Sequence, residues 1–464
     1  MAVSKVTLNG DTLMDITDTT AAADDVASGE YFYTAAGVKT AGTSSGGGSV
    51  DVEEKDVNFY DYDGTRLYSY TAAEAQALSA LPANPTHTGL TAQGWNWTLA
   101  EIKAQLTAVG GYVNVGQHYV TTDGVTEIDV VFDDPDYLHP YIGFAVNGTI
   151  VVDWGDNSET STLTGTSNTT VKSTGHVYSS TGKYTIKVTV SSGQFTMRSG
   201  NYSGIFHITE SDTSYWNNNI YSSAVRAVRT GSNAIFDRSA FQYCSNLETV
   251  TVPSTWTISS TCDYVFNGAF SLKFGIIPAG TTDLNSNTFA LCAMMKRVSI
   301  PYSITSIGAN AFTQCKTLNH FTFPSGLQII GKTAFYNCTT LEKVRFPSGM
   351  TIIPETVCYS CTSLRELSLP NTAETIGQNA FSNPFALVSI TIPANVTSIA
   401  TNAFSGLYGT SEIHFKGTTP PTLVSTSFSA IRSSCTIYVP TGYLSAYTSA
   451  QYYPSSATYT YVEE

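Results

Sequence analysis

The sequence predicts a mainly β, multi-domain chain whose C-terminal half is a solenoid of about nine 23-residue units. Three observations carry that prediction. A phenylalanine recurs as Phe241, Phe266, Phe289, Phe312, Phe335, Phe381, Phe404 and Phe428, with Cys358 in the remaining register, at steps of 25, then six of 23, then 24 residues. Its neighbours keep the same ruler. Cysteine stands three residues on (Cys244, Cys292, Cys315, Cys338, Cys361), leucine or methionine six on (Leu247 to Leu387), and proline twelve on (Pro253 to Pro393). Composition agrees: the 464 residues are 42% hydrophobic but only 12% charged, so apolar mass for cores is ample and the surface is built from Thr, Ser, Asn and Gly. A net charge of −14 argues against nucleic acid and disfavours anionic membrane surfaces, because both are held by clustered Lys and Arg. No run of 18 apolar residues is present, so no membrane insertion is expected.

Residues 1–43 alternate apolar residues with glycines and are too short for a core of their own. They are expected to pack on another protein or on another copy, a homo-oligomer of trimeric type. No apolar signal core opens the chain. This segment resembles the leader of tail and fibre proteins from phages that infect Firmicutes. The resemblance implies attachment to other virion proteins. Residues 44–50 have the Gly/Ser composition of a flexible linker.

Residues 51–121 predict a small α+β module. Val57–Tyr62 and Arg66–Tyr70 flank Asp63-Gly64, a hairpin signal. Thr71 with Glu74, and Thr98 with Glu101, are capping boxes. The first opens a helix expected to reach about Leu81 before Pro82, and the second a helix ending at Gly110-Gly111. Trp95 and Trp97 fit either a sugar-stacking platform or the core of a domain short of apolar mass. Asp61-Tyr62-Asp63-Gly64 begins like a calcium loop but lacks the later ligands, so it reads as a turn.

Residues 122–212 carry Trp154-Gly155-Asp156, His176-Val177-Tyr178 and Gly182-Lys183-Tyr184-Thr185-Ile186-Lys187-Val188. This resembles the PKD-type immunoglobulin-like β-sandwich. The resemblance implies a spacer or a sugar-binding adjunct, with Asp156 and His176 as structural turn residues rather than an acid–base pair.

Residues 213–464 form the repeats and a C-terminal cap. In one unit Leu341, Val344 and Phe346 end in strand alternation, Pro347 stops the strand, and Ile353 turns inward on the return leg. Such units stack into one continuous core, about 40 Å long at a strand spacing of about 4.8 Å. The pattern over 225–440 resembles BspA-type leucine-rich repeats, common in bacterial surface proteins and some phages. The second unit departs from it, with Ala269 in place of cysteine and Gly275 in place of the strand valine, as an irregular end unit would. Tyr443, Tyr447, Tyr452 and Tyr453 are expected to close the far end. All eight cysteines fall in this region, five on one register. They read as small hydrophobes in a buried column, since zinc frameworks need paired ligands with histidines at set offsets.

No catalytic motif, cofactor loop or metal spacing is present among the scattered histidines and carboxylates. The outward strand positions are more informative. They include Lys296, Arg297 and Ser299, then His320 and Thr322, then Lys343 and Arg345, then Arg365, Glu366 and Ser368. Lys296, Arg297, His320, Lys343, Arg345 and Arg365 are the candidate partner-binding residues, a cationic strip for an anionic host-surface glycan or a protein. The alternative is a solvated face with ion pairs such as Lys343 with Glu366. The leading expectation is therefore a non-enzymatic virion protein (tail, baseplate or head) that displays the repeats to a host cell. A BspA-like adhesin of the bacterial cell surface is the alternative, and a cell-wall polysaccharide depolymerase the third reading.

Overall fold

A computed structural model describes residues 55–198, 206–207, 222–256, 262–455 and 458–464, with the backbone of four short strands before them. Those strands pair as two hairpins, Lys5–Leu8 with Asp11–Asp15 and Tyr31–Tyr33 with Lys39–Ala41. The rest of the expected attachment segment, and the Gly/Ser linker, lie outside the described residues.

The small module is a four-stranded sheet with two helices. Val57–Tyr60 pairs antiparallel with Arg66–Tyr70 and parallel with Val113–Thr121, which pairs antiparallel with Leu90–Trp95. Both capping boxes form, opening helices Ala72–Ala77 and Leu99–Ala108. The first helix stops short of Leu81. The chain turns extended at Leu78, Leu81 packs on the core, and the Pro82 carbonyl accepts from Trp95 Nε1 at 2.9 Å. Phe59 sits at the centre, met edge-on by Tyr68, Tyr70 and Trp95. All nine residues of Val113–Thr121 are buried. A strand buried on both faces needs a second partner, and that partner is the solenoid.

Strands Thr126–Phe132, Tyr141–Asp153, Ser161–Gly175 and Gly182–Met197 join one eight-stranded sheet that runs on into the repeats. Thr126–Phe132 pairs with Gly182–Met197 on one side and with Val225–Arg229 on the other. Val225–Arg229 in turn begins the parallel ladder by pairing with Thr249–Val250. The core is accordingly continuous from Ile128 to Tyr447. At one end of this sheet the Trp-Gly-Asp motif ties a knot. Buried Trp154 stacks on His176 at 4.9 Å, Tyr178 Oη donates to the Trp154 carbonyl at 2.9 Å, and Tyr178 stacks on Tyr184 at 4.1 Å. Gly155 is required there: its φ is +76°, and a Cβ would lie 2.4 Å from the Thr185 carbonyl. Asp156 Oδ2 lies 2.8 Å from His176 Nε2. Burial pulls the Asp156 pKa up, but hydrogen bonds from Ser158 and His176 outweigh it and hold the carboxyl below its usual range.

The solenoid makes about ten turns, because Val225–Arg229 enters the ladder before the first phenylalanine. The first coil of the phenylalanine column holds Phe241 and Pro253. The phenylalanines stack through the core with centroids 5.2 to 5.7 Å apart and are interrupted at Cys358. From Phe241 to Phe404 each backbone N–H in this column donates to the next coil, as Phe312 does to Ala334 at 2.8 Å. All eight cysteines are free and buried. Four of them also donate S–H to the phenylalanine carbonyl of the preceding coil, Cys315 to Phe289 and Cys338 to Phe312 at 3.1 Å, Cys292 to Phe266 and Cys361 to Phe335 at 3.2 Å. Burial pushes the Cys244 thiol of the same column well up, which disfavours the reactive thiolate.

Two columns of left-handed backbone flank the phenylalanines. Two residues before them stand Ser239, Tyr264, Asn287, Asn310, Thr333, Thr356, Asn379 and Asn402, all at positive φ. Two residues after them stand Tyr243, Gly268, Leu291, Gln314, Asn337, Ser360, Asn383, Gly406 and Ala430. Asparagine and glycine tolerate this region, and their recurrence at these registers is the sequence signal for it. Thr333 and Thr356 occupy it against the preference of a β-branched side chain.

Candidate functional site

The solenoid's strand face is divided by the module. In coil two the register aligns Phe274 with Arg297, Gly275 with Val298 and Ile276 with Ser299. Gly275 thus takes the inward position, where a Cβ would lie 2.9 Å from the Phe289 ring. Phe274 and Ile276 point outward, yet both are buried, because the module covers them. Phe274 packs on Tyr60 at 5.0 Å, and Gly116 gives Ile276 its room, since a Cβ there would lie 3.0 Å from the isoleucine side chain. The irregular second unit is therefore a docking seat rather than a decayed end.

Around this apolar centre, polar side chains of the module, most of them buried, engage the proline turns. Asn96 Nδ2 donates to the Ile277 carbonyl at 2.9 Å, and Gln105 Nε2 donates to the Phe323 carbonyl at 2.9 Å. Gln105 Oε1 accepts from Ser325 N at 2.8 Å, and Gln93 Oε1 accepts from Ser254 N at 2.8 Å. Ser299 Oγ lies 2.6 Å from the Asn114 carbonyl and 2.8 Å from Asn96 Oδ1. His118 Nδ1 donates to the Val252 carbonyl at 2.9 Å. Val252, Ile277 and Phe323 each precede a proline, which ends the ladder and leaves their carbonyls to be satisfied by side chains. Burial without a charged neighbour holds the His118 pKa down at about 4, against a small upward pull from the Val252 carbonyl, so the docked ring is neutral.

This docking breaks the expected strip. Ser299, expected to face solvent, is fully buried under the module. Lys296 and Arg297 fall on one side, beside a cleft of about 510 Å³ that is also lined by Asp63, Glu248, Lys273, Phe274 and Met294. His320, Lys343 and Arg345 fall on the other side, in a groove of about 150 Å³ with Asp56, Tyr112 and Thr322. Tyr112 lies 4.5 Å from the His320 ring. Lys343 Nζ is 3.5 Å from Glu366, and Arg345 bonds the same carboxylate through Nε at 2.7 Å and through Nη2. Burial would raise the Glu366 pKa, but Arg345 and Lys343 outweigh it and hold it low. Arg365 is exposed, and among the described residues it has no ion pair.

The tryptophans are committed elsewhere. Trp97 is buried and meets Tyr302 of coil three at 5.9 Å, while Trp95 packs against the module core. Asp61 closes its turn as expected, and its buried carboxylate lies 2.7 Å from His87 Nε2. Beyond the module the strand face is polar and aromatic. His414 stacks on Tyr438 at 4.4 Å, next to Glu412 and Glu464. Away from that face, Tyr336 and Tyr359 stack at 5.3 Å.

Residues 205–296 and 282–411 match a family model described as BspA type Leucine rich repeat region, in six copies. No curated protein matches the sequence. Among solved structures, a leucine-rich repeat protein from Bacteroides ovatus is 25% identical, with 51% of this chain and 65% of that chain covered and a TM-score of 0.40. The match therefore spans a little under two thirds of that protein. The T. pallidum Leucine Rich Repeat protein is 25% identical, with 33% of this chain and 71% of that chain covered and a TM-score of 0.29. A leucine rich cell surface protein from Faecalibacterium prausnitzii is 20% identical, with 47% and 72% covered and a TM-score of 0.28. The C-terminal half of this chain is a β-solenoid of BspA-type leucine-rich repeats.

Proposed function

We propose that this chain is a non-enzymatic binding protein of the BspA-like surface type, which holds its partner on the strand face beyond the docked module. One observation carries this reading. The module closes the strand face of the first four coils, while from Lys343 onward the same ladder presents ordered charged, hydroxyl and aromatic side chains. A regular parallel ladder fixes these groups at constant spacing, which suits an extended partner better than a reaction centre. The groove where the module ends brings His320, Lys343 and Arg345 beside Tyr112, a setting for a carboxylate-bearing glycan or protein of a cell surface.

The test uses the Glu366 clamp. Replacing Lys343 and Arg345 by glutamate is expected to weaken binding to cells while leaving the melting temperature nearly unchanged, because exposed pairs add little stability. Glu366→Gln frees both cations and is expected to strengthen binding at low salt. Unchanged binding in both variants removes the groove as the contact. Dye release from labelled cell-wall glycans is expected to be nil, which separates this reading from a depolymerase. Attachment to a phage particle is a second proposal, carried by the sequence of residues 1–43. Labelling purified virions with an antibody to the repeats tests it.

A further inference from the structure

We propose that the edge where the chain enters the strands docks an extended acidic peptide of a partner protein, anchored in the cleft beside the module. This rests on the reading of the chain as a binding protein and names the partner's chemistry. The repeat acts as its own control. Immediately before the sixth-position leucine stand Ser271, Thr317, Thr340 and Ser363, but coil three has Met294 there, 58% exposed. Four residues after the phenylalanine column stand Ser245, Lys316, Thr339 and Thr362, but coils two and seven have Phe270 and Phe385, 42% and 46% exposed. Coil seven adds Val388, 57% exposed, directly after its leucine. The fold does not need apolar side chains at these registers, since most coils do without them. Clustered exposed apolar groups mark an interaction surface.

Two of these apolar groups, Met294 and Val388, have a cation beside them. Lys296 lies in the cleft with Met294, and Arg365 stands one coil before Val388 at the same register. Among the described residues neither Lys296 nor Arg365 has an ion pair, in a chain of net charge −14. Of the two carboxylates in the cleft, Glu248 is held by Lys273 at 2.5 Å and Asp63 accepts from Thr65 N in its own turn at 2.8 Å, and neither pairs with Lys296, which is left for an incoming carboxylate.

The spacing sets the shape of the ligand. Phe270 and Phe385 are five coils apart, about 24 Å at a strand spacing of about 4.8 Å. An extended peptide spans that distance with about seven residues. A glycan of the same reach would set hydroxyls against thioether, phenyl and isopropyl groups and lose hydrogen bonds to water. The apolar side chains of a peptide bury against those groups instead, and its carboxylates meet Lys296 and Arg365.

The experiment selects displayed random heptapeptides on the full chain and rescreens them on Met294→Ser/Lys296→Glu. Both replacements are residue types that the repeat itself uses at those registers, as in Ser271 and Glu342, so the solenoid is kept; an unchanged melting temperature checks this. Enriched peptides are expected to combine an apolar side chain with Asp or Glu and to bind the double variant about ten-fold or more weakly, the scale of a hot-spot loss. No enrichment, enrichment without that pattern, or equal binding to the double variant overturns the inference. So does oligogalacturonate competing for the cleft in place of any peptide. Cell binding lost in Lys343→Glu/Arg345→Glu but retained in Met294→Ser/Lys296→Glu leaves the wider reading standing and removes this one only.

Discussion

The covered and open halves of the strand face share one repeat and differ in one column. Inward, coils three and five present the same kind of side chain, Val298 and Val344, both buried. Outward, the covered half offers Phe274, Ile276 and Ser299, groups that fit a protein surface when buried. The open half offers Lys343, Arg345, Glu366, His414 and Tyr438, groups that keep contact with water. The inward column therefore sets the fold and the outward column sets what the fold touches. In a one-dimensional architecture these two are separable, because each coil contacts only its neighbours.

The largest expected effect breaks the inward column. Phe335 is fully buried between Phe312 and the coil beyond, and Phe335→Ala is expected to cost about 3 to 5 kcal/mol in denaturant unfolding. Ser368→Ala, outward and exposed, is expected to leave stability unchanged. A mild effect at Phe335 would mean that the inward and outward registers are misassigned.

The docking contact should respond to pH. His118 has a pKa near 4 when docked, against 6.5 ordinarily. Above about pH 6.5 both folded and unfolded forms are neutral, and the contribution is fully present. As pH falls toward 4 the unfolded chain takes up the proton first, and about 3 kcal/mol is lost across that window. His118→Asn retains a donor for the Val252 carbonyl without titrating, so it should flatten the stability profile between those values. An unaltered profile would place the acid response elsewhere.

A somewhat smaller loss is expected from Asn96→Ala, which leaves the Ile277 carbonyl and the Gly116 N–H short of a partner inside the interface. Calorimetry should show about 1 to 3 kcal/mol of destabilisation. The smallest effect is a gain. Thr356 sits at φ +57° in a column where other coils use asparagine. Thr356→Asn is expected to raise stability by about 1 kcal/mol, read as a shift in melting temperature.

The solenoid was legible in the sequence because its period repeats the same physical demand in every coil. Phe312, Cys315 and Leu318 fill one layer, and Phe335, Cys338 and Leu341 the next. The capping boxes at Thr71 and Thr98 were legible because both partners lie within four residues. The docking seat was not. Phe274-Gly275-Ile276 reads as a weakened unit until its register shows the glycine turned inward, and Asn96, Gln105 and Asn114 look like surface amides until the solenoid covers them. The division of the outward strip is not legible either, since nothing local places residues 55–121 on the first four coils. The continuous sheet over 126–250 is not legible for a similar reason, because both edges of Thr126–Phe132 are filled from distant parts of the chain.

The central claim is that the module closes the first coils of the strand face and leaves the later ones open. Ser299 and Ser368 occupy the same outward register three coils apart, and the eight native cysteines are buried. Ser299→Cys and Ser368→Cys, made separately and treated with a maleimide under native conditions, test it directly. The thiol at 368 is expected to label within minutes, and the thiol at 299 only after unfolding. Equal labelling of the two would contradict the account.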